Sequence, residues 1–292
     1  MGTALSREQD ALISDVSAGL ARITGVAAVV LGGSHARGRA RPDSDIDIAL
    51  YYRQRQPFAI SAIRDLAARC NDTPEPVVSG FGEWGRWVDG GAWLTVGGQR
   101  VDLLYRQIDM VEHTLAEALC GRFEVDFAQQ PPFGFFGPTV LGEVAIAKAL
   151  FDPAGLVAEL KTKVMPMPDA LRRAVVQQCL WSVDFGLRAF APKFVAAGNV
   201  YGAVGCFTRF ANALALSLFA LNGVYLLNDK TAMTEISEFP LTVPDFSDRL
   251  STVLGTAGTE PLQLGQSMAD MAKLFEATAT LAGDLYRPTW NF

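Results

Sequence analysis

The sequence predicts an α+β domain over residues 1–130 followed by an all-α helical bundle over residues 138–292. Three observations carry this. Up to about residue 130, short apolar runs alternate with amphipathic stretches of helical period. A Pro/Gly-rich connector, "QQPPFGFFGP" (129–138), then interrupts the chain. Beyond it, nearly every segment repeats its apolar residues at helical spacing.

The elements follow in order. Ser6 and Gln9 have capping-box spacing, and Leu12, Val16 and Leu20 then recur at helical intervals, so residues 6–22 form a helix. Gly25 ends it, and "VAAVVL" (26–31) reads as a buried strand. A glycine turn leads to a second strand, "DIDIALYY" (45–52). "FAISAIRDLAARC" (58–70) is helical in period. "AWLTVGGQRVDLLYR" (92–106) reads as a hairpin turning at Gly97-Gly98. "IDMVEHTLAEALC" (108–120) is a helix stopped by Gly121. In the second half, helices are expected over 140–150, 154–164, 169–190, 199–222, 245–254 and 260–284, with Pro192 stopping or kinking the third.

Composition narrows the function. The 292 residues carry a formal net charge of −6 and a pI near 5.0. That disfavours a dedicated nucleic-acid binder and tolerates a cationic small molecule or a protein partner. Four widely spaced cysteines without a CxxC read as reduced thiols, consistent with a cytoplasmic protein, and not as a zinc site. Two histidines make a histidine-based metal site or a Ser-His-Asp triad a poor reading. The N-terminus lacks a signal-peptide pattern. Phe210–Asn228 is apolar, but Asn212, Ser217, Asn222 and Gly223 mark it as a buried core helix, so no membrane partner is expected.

The stretch "GGSHARGRARPDSDIDI" (32–48) carries the chemistry. Asp45 and Asp47, two apart in a strand, point to one face, and Ile46, Ile48 and Leu50 take the other. Strand interiors are poor in Asp. Neighbouring carboxylates repel unless a cation lies between them or one is protonated. An all-oxygen donor set favours Mg²⁺ or Mn²⁺. Asp102, an acid inside the apolar strand "RVDLLY", is the candidate third ligand. Gly32, Gly33 and Ser34 supply backbone N–H groups and a hydroxyl at a turn into a helix, which suits phosphate. The glycines would hold phosphates, and the aspartates the ions that bridge them.

These motifs resemble the nucleotidyltransferase superfamily related to DNA polymerase beta, whose signature is a Gly-Ser turn, an Asp-x-Asp strand and a later strand Asp. The resemblance covers roughly residues 26–106. By size and domain order the chain is most similar to small-molecule, antibiotic-type members such as kanamycin nucleotidyltransferase. "GEVAIAKALFDP" (142–153) and "NGVYLLNDK" (222–230) are similar to segments of bacterial relatives. The resemblance implies a mixed-sheet domain and transfer of a nucleoside monophosphate from an NTP, expected to be ATP, to a hydroxyl of a small molecule. Pyrophosphate is released. It gives Gly33 and Ser34 to phosphate, and Asp45 and Asp47 to both metal ions. Asp102 goes to the catalytic ion and the acceptor hydroxyl. It further implies that Glu143, at the opening of the helical domain, is a candidate general base.

Blander readings stand beside these. Arg37 could steer triphosphate or lie in a solvated loop, and Lys148 and Lys230 could contact phosphate or solvent. His35 is expected to face solvent. Trp84, Trp87 and Trp93 could line an acceptor or base pocket, with packing as the default. The alternatives to small-molecule transfer are nucleotidylation of a protein hydroxyl and a non-catalytic nucleotide-binding protein. A homodimer is compatible with the sequence.

Overall fold

The structure is a computed structural model that describes residues 5–289. By internal contacts the chain divides into two compact units: Met1–Ala116 with Gly137–Pro166, and Glu117–Phe136 with Met167–Phe292.

The first unit is built on a six-stranded mixed sheet. Helix α1 (Arg7–Ala21) starts at the expected capping box, with Ser6 and Gln9 satisfying each other's backbone N–H. Strand β1 (Ala28–Leu31) leads through the single turn α2 (Gly33–Ala36) to β2 (Ile46–Tyr52). Helix α3 (Ile60–Cys70) and the short β3 (Val77–Val78) precede the hairpin of β4 (Gly91–Val96) and β5 (Gln99–Gln107), which turns at the expected Gly97-Gly98. Helix α4 covers Ile108–Leu119. The strand order is β3-β4-β5-β2-β1-β8, where β8 is Lys148–Phe151. Only β2 and β5 run parallel; the other neighbours are antiparallel.

One face of this sheet is the core. Ile46, Ile48 and Leu50 of β2 and Val101 and Leu103 of β5 are fully buried against Ile13, Val16 and Leu20 of α1 and Ile63 and Leu66 of α3. Each such side chain contributes about 1.5–3 kcal/mol by burial. Because strand residues alternate, this packing forces Asp47 and Asp102 onto the opposite face.

Helix α5 (Thr139–Ile146) and α6 (Leu156–Val164) belong with the sheet. The expected helix over 140–150 therefore stops early. Lys148–Phe151 leaves it to pair with β1 at the sheet edge.

The second unit opens with the two-residue strands β6 (Val125–Asp126) and β7 (Phe135–Phe136), paired with each other. The rest of it is helical: α7 (Asp169–Ala189), α8 (Ala191–Ala196), α9 (Val200–Leu221), α10 (Asp229–Glu238), α11 (Phe246–Gly255) and α12 (Pro261–Ala282). Pro192 falls in the first turn of α8, where its missing N–H costs nothing, so α7 ends before it. By length and composition α9 could cross a membrane, but most of its apolar window is buried within the protein. The fold is thus α+β followed by a helical region.

Candidate active site

The sheet register brings the predicted acids together by backbone alone. Asp47 of β2 and Asp102 of β5 are direct partners in the parallel pair. Opposed residues on neighbouring strands share a face, and strands lie about 4.7–4.9 Å apart. Asp45 sits one residue before β2, on the same face by alternation. It is turned towards β5, where Arg100 Nε lies 2.5 Å from its Oδ1. That oxygen is buried, and the close ion pair lacks hydrogen-bond geometry.

Asp47 is the centre of the cluster. Burial pushes its carboxyl up to about 7, and the negative charges of Asp102, Glu143 and Asp45 add to the rise; Arg106 opposes it. An acid held half-protonated near neutral pH by burial and by three neighbouring acids is a site that gains from a cation. The donors are all oxygens, so they fit a hard divalent ion such as Mg²⁺ or Mn²⁺. As the side chains stand, no group of three or more His, Cys, Asp or Glu among the described residues is arranged to hold a metal.

The glycine turn is fitted to Asp47. Gly32 N–H donates to the Asp47 carbonyl at 2.8 Å. Gly33 has φ +55°, and a Cβ there would stand 1.8 Å from Asp47 Oδ2. Only glycine lets the turn pass this close to a carboxylate. Ser34 is half-buried beside it in α2, and Arg37 caps that turn through its backbone N–H. Contrary to the sequence expectation, His35 is buried, at 5% exposure, because the α2 turn folds its ring inward. Desolvation lowers its pKa, so it is the neutral imidazole that is packed there. Lys148 Nζ reaches the His35 carbonyl at 3.5 Å.

Glu143 lies in α5, within the sheet unit and not in the helical one. Both its oxygens are taken by Arg106, at 2.6 and 2.8 Å, in a bidentate pair whose arginine is buried. The pair occupies one lone pair on each Glu143 oxygen and gives Arg106 its counter-charge. Sequence reasoning missed Arg106, four residues after Asp102 on the same face; an arginine in an otherwise apolar strand was the available signal. Lys230 lies exposed in α10 of the second unit. Trp93 of β4 is the register partner of Asp102 and is exposed.

Residues 13–109 match the family model of the nucleotidyltransferase domain, a span that takes in most of α1, the glycine turn, all three aspartates and β5. No curated protein matches. Among solved structures, the nucleotidyltransferase-like protein from Exiguobacterium sibiricum is similar over 94% of this chain and 76% of its own, at 12% identity. The likeness is loose, with a TM-score of 0.46, and says nothing of activity.

Proposed function

We propose that this protein transfers a nucleoside monophosphate from an NTP, with ATP the first candidate, to a hydroxyl of a small molecule, in the presence of Mg²⁺ or Mn²⁺. The observation that carries the reading is the register of Asp47 against Asp102 with Gly33 closed down on Asp47. Divalent ions held by Asp45, Asp47 and Asp102 would neutralise the phosphates and the attacking oxygen.

The chain's own residues do the rest by positioning. The N–H groups of Gly33 and Ser34 and the Ser34 hydroxyl hold the β- and γ-phosphates, while the Gly32 N–H stays on the Asp47 carbonyl. Asp102, on the far side of Asp47 from that turn, accepts the hydrogen bond of the acceptor hydroxyl and receives its proton. The acceptor oxygen then bonds to the α-phosphorus, and the bond from that phosphorus to the bridging oxygen breaks. Pyrophosphate leaves with the electron pair. Asp45 has only to leave Arg100 to join the site. That pair is partly exposed on both sides, and such pairs are worth about 0–1 kcal/mol, so it is a weak competitor.

The Asp45–Arg100 contact is also the one observation that favours a second reading, a nucleotide-binding protein without transferase activity. The experiment is a screen of labelled NTPs, with Mg²⁺ or Mn²⁺, against hydroxyl-bearing small molecules and lysate protein, read by mass shift. A small molecule heavier by one nucleoside monophosphate supports the proposal. Labelled protein moves the acceptor to a protein hydroxyl, and NTP binding without any mass shift supports the second reading.

A further inference from the structure

We infer that the groove between α1 and α3 binds a short peptide with apolar side chains and free charged ends, and that its occupancy weakens metal-dependent nucleotide binding. The peptide site stands on its own geometry; the effect on nucleotide rests on the transferase reading.

The groove lies wholly within the first unit. Helices α1 and α3 touch where Gly19 meets Leu66; a Cβ at Gly19 would stand 2.7 Å from Leu66 Cδ1. A turn beyond Leu66, at Arg69 and Cys70, and a turn or two before Gly19, at Leu12 to Val16, the helices leave the space between them unfilled. The result is a cavity of about 990 Å³, lined also by the hairpin tip Val96–Gln99 and by Arg41 and Pro42. Small-molecule pockets run to about 300–1,000 Å³, so this one has room for several amino-acid residues.

Its chemistry has two parts. Val16 of the core, with the half-buried Leu12, Cys70 and Val96, gives an apolar floor. The rim is charged, and the charges are sorted by helix: Glu8 and Asp15 stand exposed on α1, and Arg69 stands exposed on α3. Among the described residues, none of these three side chains has an ion-pair partner. A ligand with an ammonium at one end, a carboxylate at the other and apolar side chains between them complements floor and rim together. Two or three extended residues span at most about 7–11 Å, comparable with the roughly 8–10 Å between packed helix axes.

Gln99 connects the groove to the acids. Its Oε1 accepts from Gln9 Nε2 of α1 at 3.1 Å, and its Nε2 donates to the Ser44 carbonyl at 3.1 Å. Ser44 precedes Asp45, and Arg100, which follows Gln99, is the residue that pairs with Asp45. A peptide lying against Gln9 and Gln99 braces this strut and so keeps Arg100 on Asp45. Asp45 has to leave Arg100 to join a divalent ion. A ligand that favours the paired state therefore opposes the ion and the triphosphate that follows it, and by linkage nucleotide opposes the peptide by the same factor.

The test uses the full-length protein with L-leucyl-L-leucine as probe. Glycylglycine is the control without apolar side chains, and the N-acetylated, C-amidated dileucine is the control without charged ends. Saturation-transfer NMR titrations report peptide binding, and calorimetry reports a non-hydrolysable ATP analogue with Mg²⁺. Wild-type protein is expected to bind dileucine and to favour it over both controls. Arg69→Glu, on the surface, and Cys70→Trp, which fills the floor, should each weaken that binding about tenfold. Saturating dileucine should weaken the wild-type affinity for the analogue at least fivefold and leave that of Arg69→Glu unchanged. No binding of dileucine by wild type, equal binding of either control, or binding unchanged in Arg69→Glu overturns the inference. So does an analogue affinity that dileucine does not move, and in each of these cases the transferase reading stands. An analogue that fails to bind wild type with Mg²⁺ overturns the transferase reading, and the effect on nucleotide with it.

Discussion

Replacing Asp47 by Asn should stabilise the metal-free protein, and by an amount that grows with pH. The carboxyl of Asp47 is raised from 3.8 to about 7 in the folded state, first by burial and then by Asp102, Glu143 and Asp45. A raised acid binds its proton more tightly folded than unfolded. Its favourable contribution is therefore intact below about pH 4 and is lost as pH climbs through about 7. The full loss at pH 8 is about 4 kcal/mol, and asparagine, neutral at every pH, escapes it. At pH 4 the two proteins should differ by less than about 1 kcal/mol from this cause. For a protein of this size, 1 kcal/mol moves Tm by about 2–4 °C. The assay is thermal unfolding in EDTA across pH 4–8. The Asp47→Asn gain should widen by several degrees over that range. Mg²⁺ at pH 8 should raise the wild-type Tm and leave that of Asp47→Asn nearly unmoved, since ion binding offsets the same repulsion. A difference that does not change with pH, or a variant less stable than wild type at pH 8, would refute the electrostatic account of the cluster.

Other consequences can be checked in the same preparations. Gly33→Ala forces a Cβ into Asp47 and a left-handed φ on alanine; it should cost more than about 1 kcal/mol of stability and abolish Mg²⁺-dependent nucleotide binding, as read by denaturant unfolding and calorimetry. Glu143→Gln leaves buried Arg106 without its counter-charge; it should destabilise by about 3 kcal/mol, and a loss of turnover with no loss of stability would instead mark Glu143 as a base. Ser34→Ala should weaken binding of an ATP analogue by about 1 kcal/mol, close to fivefold, with little change in Tm. Tyr52→Phe strands one oxygen of buried Asp89, which accepts from Tyr52 at 2.7 Å; a loss of about 1–3 kcal/mol is expected in urea unfolding.

The parts of the fold that local chemistry determines were legible. The capping box of α1, the Gly97-Gly98 hairpin and the apolar alternation of Ile46, Ile48 and Leu50 each name their element without tertiary information. Asp47, Asp102 and the glycines were legible for the same reason: acids in a strand and paired glycines violate local preference. What was not legible depends on distant partners. "KALF" (148–151) has good helix formers, yet β1 offers it an open edge, and backbone pairing overrides propensity. That strand ties residues 137–166 to the sheet unit, a grouping that the Pro/Gly connector at 129–138 does not announce. Helix α10 was missed because "DKTAMTEISE" has few apolar residues, and Asn228 caps it through Thr231. The reach of Arg106 for Glu143, and of Arg100 for Asp45, spans 37 and 55 residues of sequence and has no local sign.

The central claim, that Asp45, Asp47 and Asp102 hold the divalent ions that admit a triphosphate to the Gly32–Ser34 turn, is tested most directly by calorimetry. A non-hydrolysable ATP analogue is titrated into wild-type protein, Asp47→Asn and Asp102→Asn, each with Mg²⁺ and with EDTA. The account predicts binding to wild type with Mg²⁺, at least tenfold weaker binding in EDTA because triphosphate beside these carboxylates is repelled, and loss of the Mg²⁺ dependence in both variants. Equal affinity in EDTA and Mg²⁺, or a Mg²⁺ dependence that survives in Asp47→Asn and Asp102→Asn, would contradict it.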